Sequence, residues 1–542
     1  MLVSLESFSE ALAEGTDTQL SGCLDKVNFS GANFREMRSK SGNTGRRSLV
    51  PGGFKFLQVS AKEAEWERMG NIDLKDQEVV SQGILGSFNE ALKENSMMTM
   101  LPSFEIKPNG AEAGNYLVLD VGGSTLRVGV ISIASPREIE DRKERVRIIV
   151  ERKWVISDAV KYLDLNFFRW IGSNIKETLL HQDVIKYTHG LELINTGVTW
   201  SFPLEQTSPN SGNIVHVGKG YVISPEIYNK DLKEILESTL RENFNISIDV
   251  KVILNDSTAV YCAGAFYDKY TKIALVLGTG INMCFPLKTQ NIHPNKSLLK
   301  DSVLMNSELS LFGANLIRYF ATKYDCMIDC RFDIKKRPLA FRPHIEIDPV
   351  TNEIFQPSEL MVGGRYLCEL VRLIVEEVIA KDHIFTRMRK TDLSQWKKKY
   401  EGFSGELMCF ISETEDHDSI AREMCRAYHW DRSLITDSDV KILKEIVDGV
   451  LKRAAFIVSI ILVSAIKLLD QNGNIKWQPI ITIGYVGSIA YHFHSYRKLI
   501  LKYVNDSEYI KKLGITADFR HINNSSITGA AIAAAYYCKS EN

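Results

Sequence analysis

The sequence predicts an α/β protein with a duplicated core, its two halves closing on a phosphate-bearing ligand. Three observations carry this. First, Leu117-Val-Leu-Asp-Val-Gly-Gly-Ser-Thr-Leu-Arg-Val-Gly-Val130 and Ala274-Leu-Val-Leu-Gly-Thr-Gly-Ile-Asn-Met-Cys-Phe285 have one design: apolar strand, Gly-rich turn with a hydroxyl, returning strand. Glycine at such turns permits positive φ and close backbone approach, so N–H groups and hydroxyls line a concavity suited to phosphate. Second, the units lie roughly 160 residues apart, as one fold unit used twice would. Third, the chain from Tyr116 to Leu254 reads strand, strand, strand, helix, strand, helix, strand, a layered α/β order.

Taken in order, residues 1–75 have little periodicity, and Ser30–Gly53 is rich in Ser, Gly, Arg and Asn, which predicts a flexible segment. Arg46-Arg47-Ser48 would suit a basic-directed kinase. A helix is predicted over Gln77–Glu94, with Val79, Ile84, Leu85 and Phe88 on one side; Met100-Leu-Pro-Ser breaks the chain after it. Tyr116–Val121, Arg127–Ile133 and Val146–Ile156 read as strands. Phe167–Leu180 reads as helix, Ile194–Phe202 as a strand stopped by Pro203, Asp231–Phe244 as an amphipathic helix and Ile248–Leu254 as a buried strand. After the second hairpin the chain is mostly helical, over Ile317–Tyr324, Gly364–Val378, Asp439–Leu469 and Asn524–Tyr537, with a strand at Pro479–Ile483 before Gly484-Tyr-Val-Gly-Ser488.

Composition excludes several classes. The 542 residues are 44% apolar, enough for a large core and more than one domain. Lys plus Arg number 66 and Asp plus Glu 67, a balance that argues against nucleic acid as a partner. The nine cysteines are scattered, and Cys326 and Cys330 lack a second pair to complete a zinc site, so they read as thiols of a reducing compartment. Met1-Leu-Val-Ser-Leu-Glu lacks the order of a secretory signal. Ala454–Ile466, the most apolar run, is short for a bilayer and reads as core helix. The expectation is a cytoplasmic protein with no membrane partner.

Asp256 sits at the end of an apolar strand, where α/β folds place ligands. It can serve as a general base for a hydroxyl attacking phosphorus, or as the cap of the following helix. Thr199-Trp-Ser-Phe-Pro203, Gly218-Lys-Gly-Tyr221, Leu254-Asn-Asp-Ser257, Gly278-Thr-Gly-Ile-Asn282 and Asn306-Ser-Glu308 are strand ends or loops rich in fixed donors and acceptors, as a buried polyhydroxylated ligand requires. Glu308 and Glu359 can equally be solvated or capping carboxylates.

This order of motifs closely resembles the eukaryotic hexokinase family of sugar kinases, from about residue 80 to 540. Leu119-Asp-Val-Gly-Gly-Ser-Thr-Leu-Arg127 matches the family's Leu-Asp-Leu-Gly-Gly-Thr-Asn-(Phe/Leu)-Arg, and Trp200-Ser-Phe-Pro-Leu204 its Phe-Ser-(Phe/Tyr)-Pro. Pro357-Ser-Glu-Leu-Met-Val-Gly-Gly-Arg-Tyr-Leu-Cys-Glu-Leu370 matches its Glu-Lys-Met-x-Ser-Gly-x-Tyr-Leu-Gly-Glu. The resemblance implies a two-lobed actin-like ATPase fold with a cleft between a small and a large lobe. It implies Asp256 as general base, and Ser201, Lys219, Asn255, Asn282, Glu308 and Glu359 on the sugar. Gly122, Gly123, Ser124, Thr125, Arg127, Thr279, Gly487 and Ser488 would serve the nucleotide, and Gly529-Ala-Ala531 matches the C-terminal helix motif. The implied cofactors are ATP and Mg²⁺, the ion carried by ATP and reached at most through water by Asp120, which can alternatively be a hydrogen-bonding scaffold. The implied divisions are an N-terminal extension (1–75), a helix on the large lobe (76–114), the small lobe (115–257), the large lobe (258–523) and a helix returning to the small lobe (524–542).

The departures from glucose-type members point further. This chain has Gly218-Lys-Gly-Tyr221 for Thr-Lys-Gly-Phe, Ser307-Glu-Leu-Ser-Leu-Phe312 for Thr-Glu-Trp-Gly-Ala-Phe, and Val486 for an Asp. These variants, with Lys-Arg-Ala-Ala-Phe and Gly-Tyr-Val-Gly-Ser, are similar to the N-acetylglucosamine kinases of yeasts and other fungi. The implied reaction is phosphorylation of a hexose 6-hydroxyl, foremost that of N-acetylglucosamine. Volume freed at Gly218 and Leu309 would admit the 2-acetamido group. A glucose or broad-range hexokinase and a catalytically silent sugar sensor are the alternatives.

Overall fold

The computed structural model describes residues 69, 73–95, 98–188, 191–215, 217–218, 220–290, 292–298, 300–333, 354–476 and 478–540. Most of the 1–75 extension, Arg46-Arg47-Ser48 and Lys219 lie outside the described residues. Helix α1 (Leu74–Lys93) starts at an Asp73 cap and buries Val80, Ile84, Leu85 and Phe88, while Val79, expected on that side, is exposed. Strands follow at Leu101–Phe104 (β1), Gly114–Val121 (β2), Thr125–Ile133 (β3) and Val146–Val155 (β4). Helix α2 (Leu165–Leu179), strand β5 (Ile194–Trp200), helix α3 (Leu232–Phe244) and strand β6 (Ile248–Leu254) complete the first layer, and helix α4 (Asp256–Tyr267) leaves it.

The second layer repeats the first. Strands β7 (Thr271–Leu277), β8 (Ile281–Lys288) and β9 (Ser302–Asn306) form an antiparallel meander, as β2, β3 and β4 do. Two parallel strands then extend each sheet from the first strand of its meander: β5 pairs with β2 and β6 with β5, while β10 (Ile480–Val486) pairs with β7 and β11 (Thr516–His521) with β10. The sheet orders are β6-β5-β2-β3-β4 and β1-β9-β8-β7-β10-β11. The second has one extra edge strand, β1, and Pro102 is tolerated there because an edge leaves one N–H row unpaired.

Helices join the two sheets. Helix α4 packs on β7 and β8, and also on α8 (Ser525–Ser540), which covers β2, β3, β5 and β6. Backbone approach there leaves no room for side chains: a Cβ on Gly529 would lie 2.1 Å from Ala259 O, and one on Gly197 2.3 Å from Ala530 O. Helix α7 (Asp437–Gln471) begins with a Thr436–Asp439 capping box and carries α1, with Gln77 Nε2 donating to Ser459 Oγ at 3.0 Å and Ser464 Oγ to Ser81 O at 3.0 Å.

Several expectations need correction. Gly122, Gly123, Gly278 and Gly280 are not in the positive-φ region; of these, Gly280 answers a demand for space, since a Cβ there would meet Glu359 Oε2 at 2.1 Å. The helix expected over Ile317–Tyr324 is two, α5 (Ala314–Phe320) and α6 (Lys323–Ile328), because Thr322 and Asp325 form a capping box that starts a new one. The Ala454–Ile466 run is part of a 35-residue helix, long and apolar enough to cross a membrane, but 94% of its most apolar window is buried inside the protein.

Candidate active site

The β2–β3 turn is closed by Gly122 N donating to Thr125 O at 3.0 Å. Behind it Asp120 and Arg127 are cross-strand partners, with Arg127 Nε 3.2 Å from Asp120 Oδ2. Asp120 therefore has a scaffold partner, and Arg127 reaches the turn already paired. The end of β2 also anchors the neighbouring segment, since Ser201 N donates to Val121 O at 3.1 Å. Tyr221 closes a turn onto Gly218 O at 3.1 Å, and Gly220, third in that turn, has φ +80°. Its hydroxyl donates to Gly122 O at 3.1 Å, and burial pushes the phenol above its usual range, so it stays a neutral donor.

Strand β6 ends at Asn255, which caps α4: its Oδ1 accepts from Ser257 N at 3.0 Å and from Ser257 Oγ at 2.9 Å. Capping thus falls to Asn255, and Asp256 occupies the first helical position, half-buried, its Oδ1 accepting from Ser257 N at 2.7 Å. Cys284 lies nearby; burial, with a smaller push from the Asp256 carboxylate, raises its thiol to about 12.

A polar cradle faces this helix start from β8 and β9. Asn306 Oδ1 accepts from Ser257 Oγ and from Asn282 Nδ2, each at 3.0 Å, and Asn306 Nδ2 donates to Glu308 Oε1 at 2.6 Å. Asn282 Oδ1 accepts from Met283 N at 2.7 Å and Leu309 N at 3.3 Å. Glu308 has φ +50° and ψ +54°. Such a left-handed conformation costs a non-glycine residue about 1–2 kcal/mol, and strain of this kind gathers at functional sites. In the sequence Asn306 stands in the Asn306-Ser-Glu308 motif without a role of its own. Its signal was position, between a buried strand and a carboxylate.

The second hairpin closes with Gly278 N donating to Gly280 O at 3.0 Å and leaves Thr279 exposed at the tip. Two segments press on it, the helix Pro357–Val362 with its Gly363 cap and the Gly487 loop. A Cβ on Gly280 would meet Glu359 Oε2 at 2.1 Å, one on Gly363 would meet Thr279 O at 2.3 Å, and one on Gly487, whose φ is +107°, would meet Leu277 O at 2.3 Å. Gly364 N also donates to Gly278 O at 2.8 Å.

The structure thus brings Gly122, Ser201 and Tyr221 together on one side. It gathers Asn255, Asp256, Asn282, Asn306 and Glu308 at the junction, and Thr279, Glu359, Gly487 and Ser488 on the other side. Leu309 is a correction: its side chain is fully buried, so it offers no open volume to a substituent. A Cβ on Gly218 meets nothing within 4 Å. Among the described residues no three His, Cys, Asp or Glu side chains converge into a metal-holding group.

A sheet of three antiparallel and two parallel strands, used twice and bridged by shared helices, defines a two-lobed α/β fold of the kind sugar kinases use. The comparisons agree. Two family models, each described as Hexokinase, match residues 64–266 and 272–536. N-acetylglucosamine kinase 1 of Candida albicans is 49% identical over 460 residues, 85% of this chain and 90% of that protein. Hexokinase-1 of Saccharomyces cerevisiae is 24% identical over 62% of this chain and 64% of its own length. The hexokinase of Schistosoma mansoni, solved with glucose, superposes with a TM-score of 0.65 at 20% identity, covering 87% of this chain and 97% of that one. The chain belongs to the hexokinase family.

Proposed function

We propose that this protein is an ATP-dependent sugar kinase that phosphorylates the 6-hydroxyl of N-acetylglucosamine. The observation that carries the reading is the placement of Asp256: Asn255 caps α4, Asp256 follows at the first helical position, and the next residue, Ser257, bonds to Asn306 of the Asn282–Asn306–Glu308 cradle. The Candida albicans relative supports the choice of sugar.

In this mechanism Asn255, Asn282, Glu308 and Glu359, with Ser201 and Lys219, fix the sugar hydroxyls. Asp256 takes the proton of the 6-hydroxyl as that oxygen attacks the γ-phosphorus. The turns at Gly122–Thr125 and Gly278–Gly280, with Gly487 and Ser488, hold the nucleotide. The absence of a Cβ at Gly280 and Gly487 lets Glu359 and the Leu277 backbone pack against this turn, which holds its N–H groups in place. Mg²⁺ would arrive as part of the MgATP substrate and supply charge neutralisation at the phosphates, and Asp120 would help to hold it. Closure of the lobes would exclude water, the competing acceptor.

We assign residues 115–257 to the small lobe, 258–523 to the large lobe, 76–114 to a helix and linker on the large lobe, and 524–542 to the returning helix. The two sheets and the contacts of α1 and α8 support these bounds.

The test is coupled ADP release with glucose, fructose, mannose, N-acetylglucosamine and N-acetylmannosamine. The reading expects the highest kcat/KM with N-acetylglucosamine. A preference for glucose overturns the substrate, and sugar binding without ADP release from any hexose overturns the kinase.

A further inference from the structure

We propose that the Tyr221 hydroxyl is a positioning strut that couples sugar binding to nucleotide binding within the small lobe. The proposal rests on the kinase reading above and adds a residue to it. Four segments meet at this one residue. The Tyr221 backbone N–H closes the Gly218–Tyr221 turn, which carries the sugar-loop lysine, onto Gly218 O at 3.1 Å. Its ring packs edge-on against Phe202 of the Trp200–Pro203 segment, centroids 4.8 Å apart, and against Phe167 of α2 at 5.9 Å. Its hydroxyl donates to Gly122 O, 3.1 Å away, inside the first phosphate turn.

The ring and the hydroxyl have separable duties. The ring is 6% exposed and belongs to an aromatic cluster with Phe202 and Trp200. A phenylalanine would satisfy that cluster equally, and Phe is what the glucose-type pattern carries at this place. The hydroxyl is the part that reaches the phosphate turn. The carbonyl it holds belongs to Gly122, whose N–H closes the same turn. Movement of the sugar loop therefore pulls on the peptide that shapes the phosphate cradle. Such a link makes each ligand's affinity depend on the other, and the dependence is reciprocal.

The test is Tyr221→Phe in the full chain. Calorimetry measures the Kd of N-acetylglucosamine with and without a non-hydrolysable ATP analogue plus Mg²⁺, and kinetics measures KM for ATP at low and saturating sugar. Loss of one neutral hydrogen bond is expected to change the coupling ratio by about 2–10-fold. Sugar affinity without nucleotide and the Tm should stay close to wild type. Phe202→Leu, which loosens the ring packing but keeps the hydroxyl, should instead weaken sugar binding with and without nucleotide alike. An unchanged coupling ratio in Tyr221→Phe overturns the strut while leaving the kinase reading intact. A fall in Tm with equal weakening of both ligands overturns it as a merely structural contact. A wild-type protein that phosphorylates no hexose overturns the kinase reading and the strut with it.

Discussion

The Glu359 carboxylate fills the space in front of Gly280, where an added Cβ would lie 2.1 Å from Oε2. A residue of the turn proposed to hold phosphate and a residue proposed to hold the sugar therefore share one volume. Gly280→Ala should displace Glu359 and raise KM for the sugar by about 10–100-fold, the penalty of an ångström-scale misplacement. Adding Glu359→Ala should cost little more, because both changes remove the same contact. Steady-state kinetics on the double-mutant cycle checks this; additive losses would show that the two residues act separately.

Asp256→Asn should lower kcat by about 10²–10⁴-fold, the usual weight of a general base. Sugar binding by calorimetry should persist, since Asn255 still caps α4. Turnover within a few-fold of wild type would leave Asp256 as an ordinary first-turn residue.

Asn306→Ala removes the acceptor of Ser257 and Asn282 and the donor to Glu308. The stranded groups should cost about 1–3 kcal/mol of stability, and release of Glu308 should weaken sugar binding. Urea unfolding and calorimetry report the two effects. Loss of stability with unchanged sugar affinity would separate Asn306 from the site.

The sequence made the first layer legible because its strands are long and apolar and its helices amphipathic. It made the second layer only half legible. Strand β9 is the short run Ser302–Asn306, β1 contains Pro102, and β11 buries little beyond Ala517. Each lacks the period-two pattern that marks a half-buried strand, so the complete repetition of the sheet appears only in three dimensions. At the site, motif positions were readable and contacts were not. Nothing in Asn306-Ser-Glu308 says that Asn306 binds three partners, and nothing in Gly278-Thr-Gly280 says that Glu359 demands the second glycine.

Gly218→Thr tests substrate choice without disturbing packing, since a Cβ at Gly218 meets open space. If the 2-acetamido group uses that space, the ratio of kcat/KM for N-acetylglucosamine to that for glucose should fall at least about 10-fold. Leu309→Trp is the poorer probe, because Leu309 is fully buried and overpacking would unfold the loop first. An unmoved ratio in Gly218→Thr places the acetamido contact elsewhere.

Lys296 supplies a pH test. Its buried ammonium donates to Met100 O at 3.1 Å, and burial, partly offset by Glu94, lowers its pKa to about 8. The unfolded chain keeps this proton to about pH 10. Between those values the unfolded state binds more protons, so wild-type stability rises with pH. Below about 8 the cost of the buried charge is complete. The Tm of Lys296→Met relative to wild type should therefore be highest near neutrality and fall as pH approaches 10. A flat difference would mean that the ammonium is not penalised.

The fit of Gly529 against Ala259 and of Ala530 against Gly197 also sets a timetable. Helix α8 covers β2, β3, β5 and β6, yet the ribosome makes it after every strand of the second sheet. The first sheet emerges early with one apolar face uncovered, and must wait through translation of the entire other lobe for its lid. A nascent chain stalled before Ser525 would expose that face to chaperones, and release of the last helix is the event that seals it.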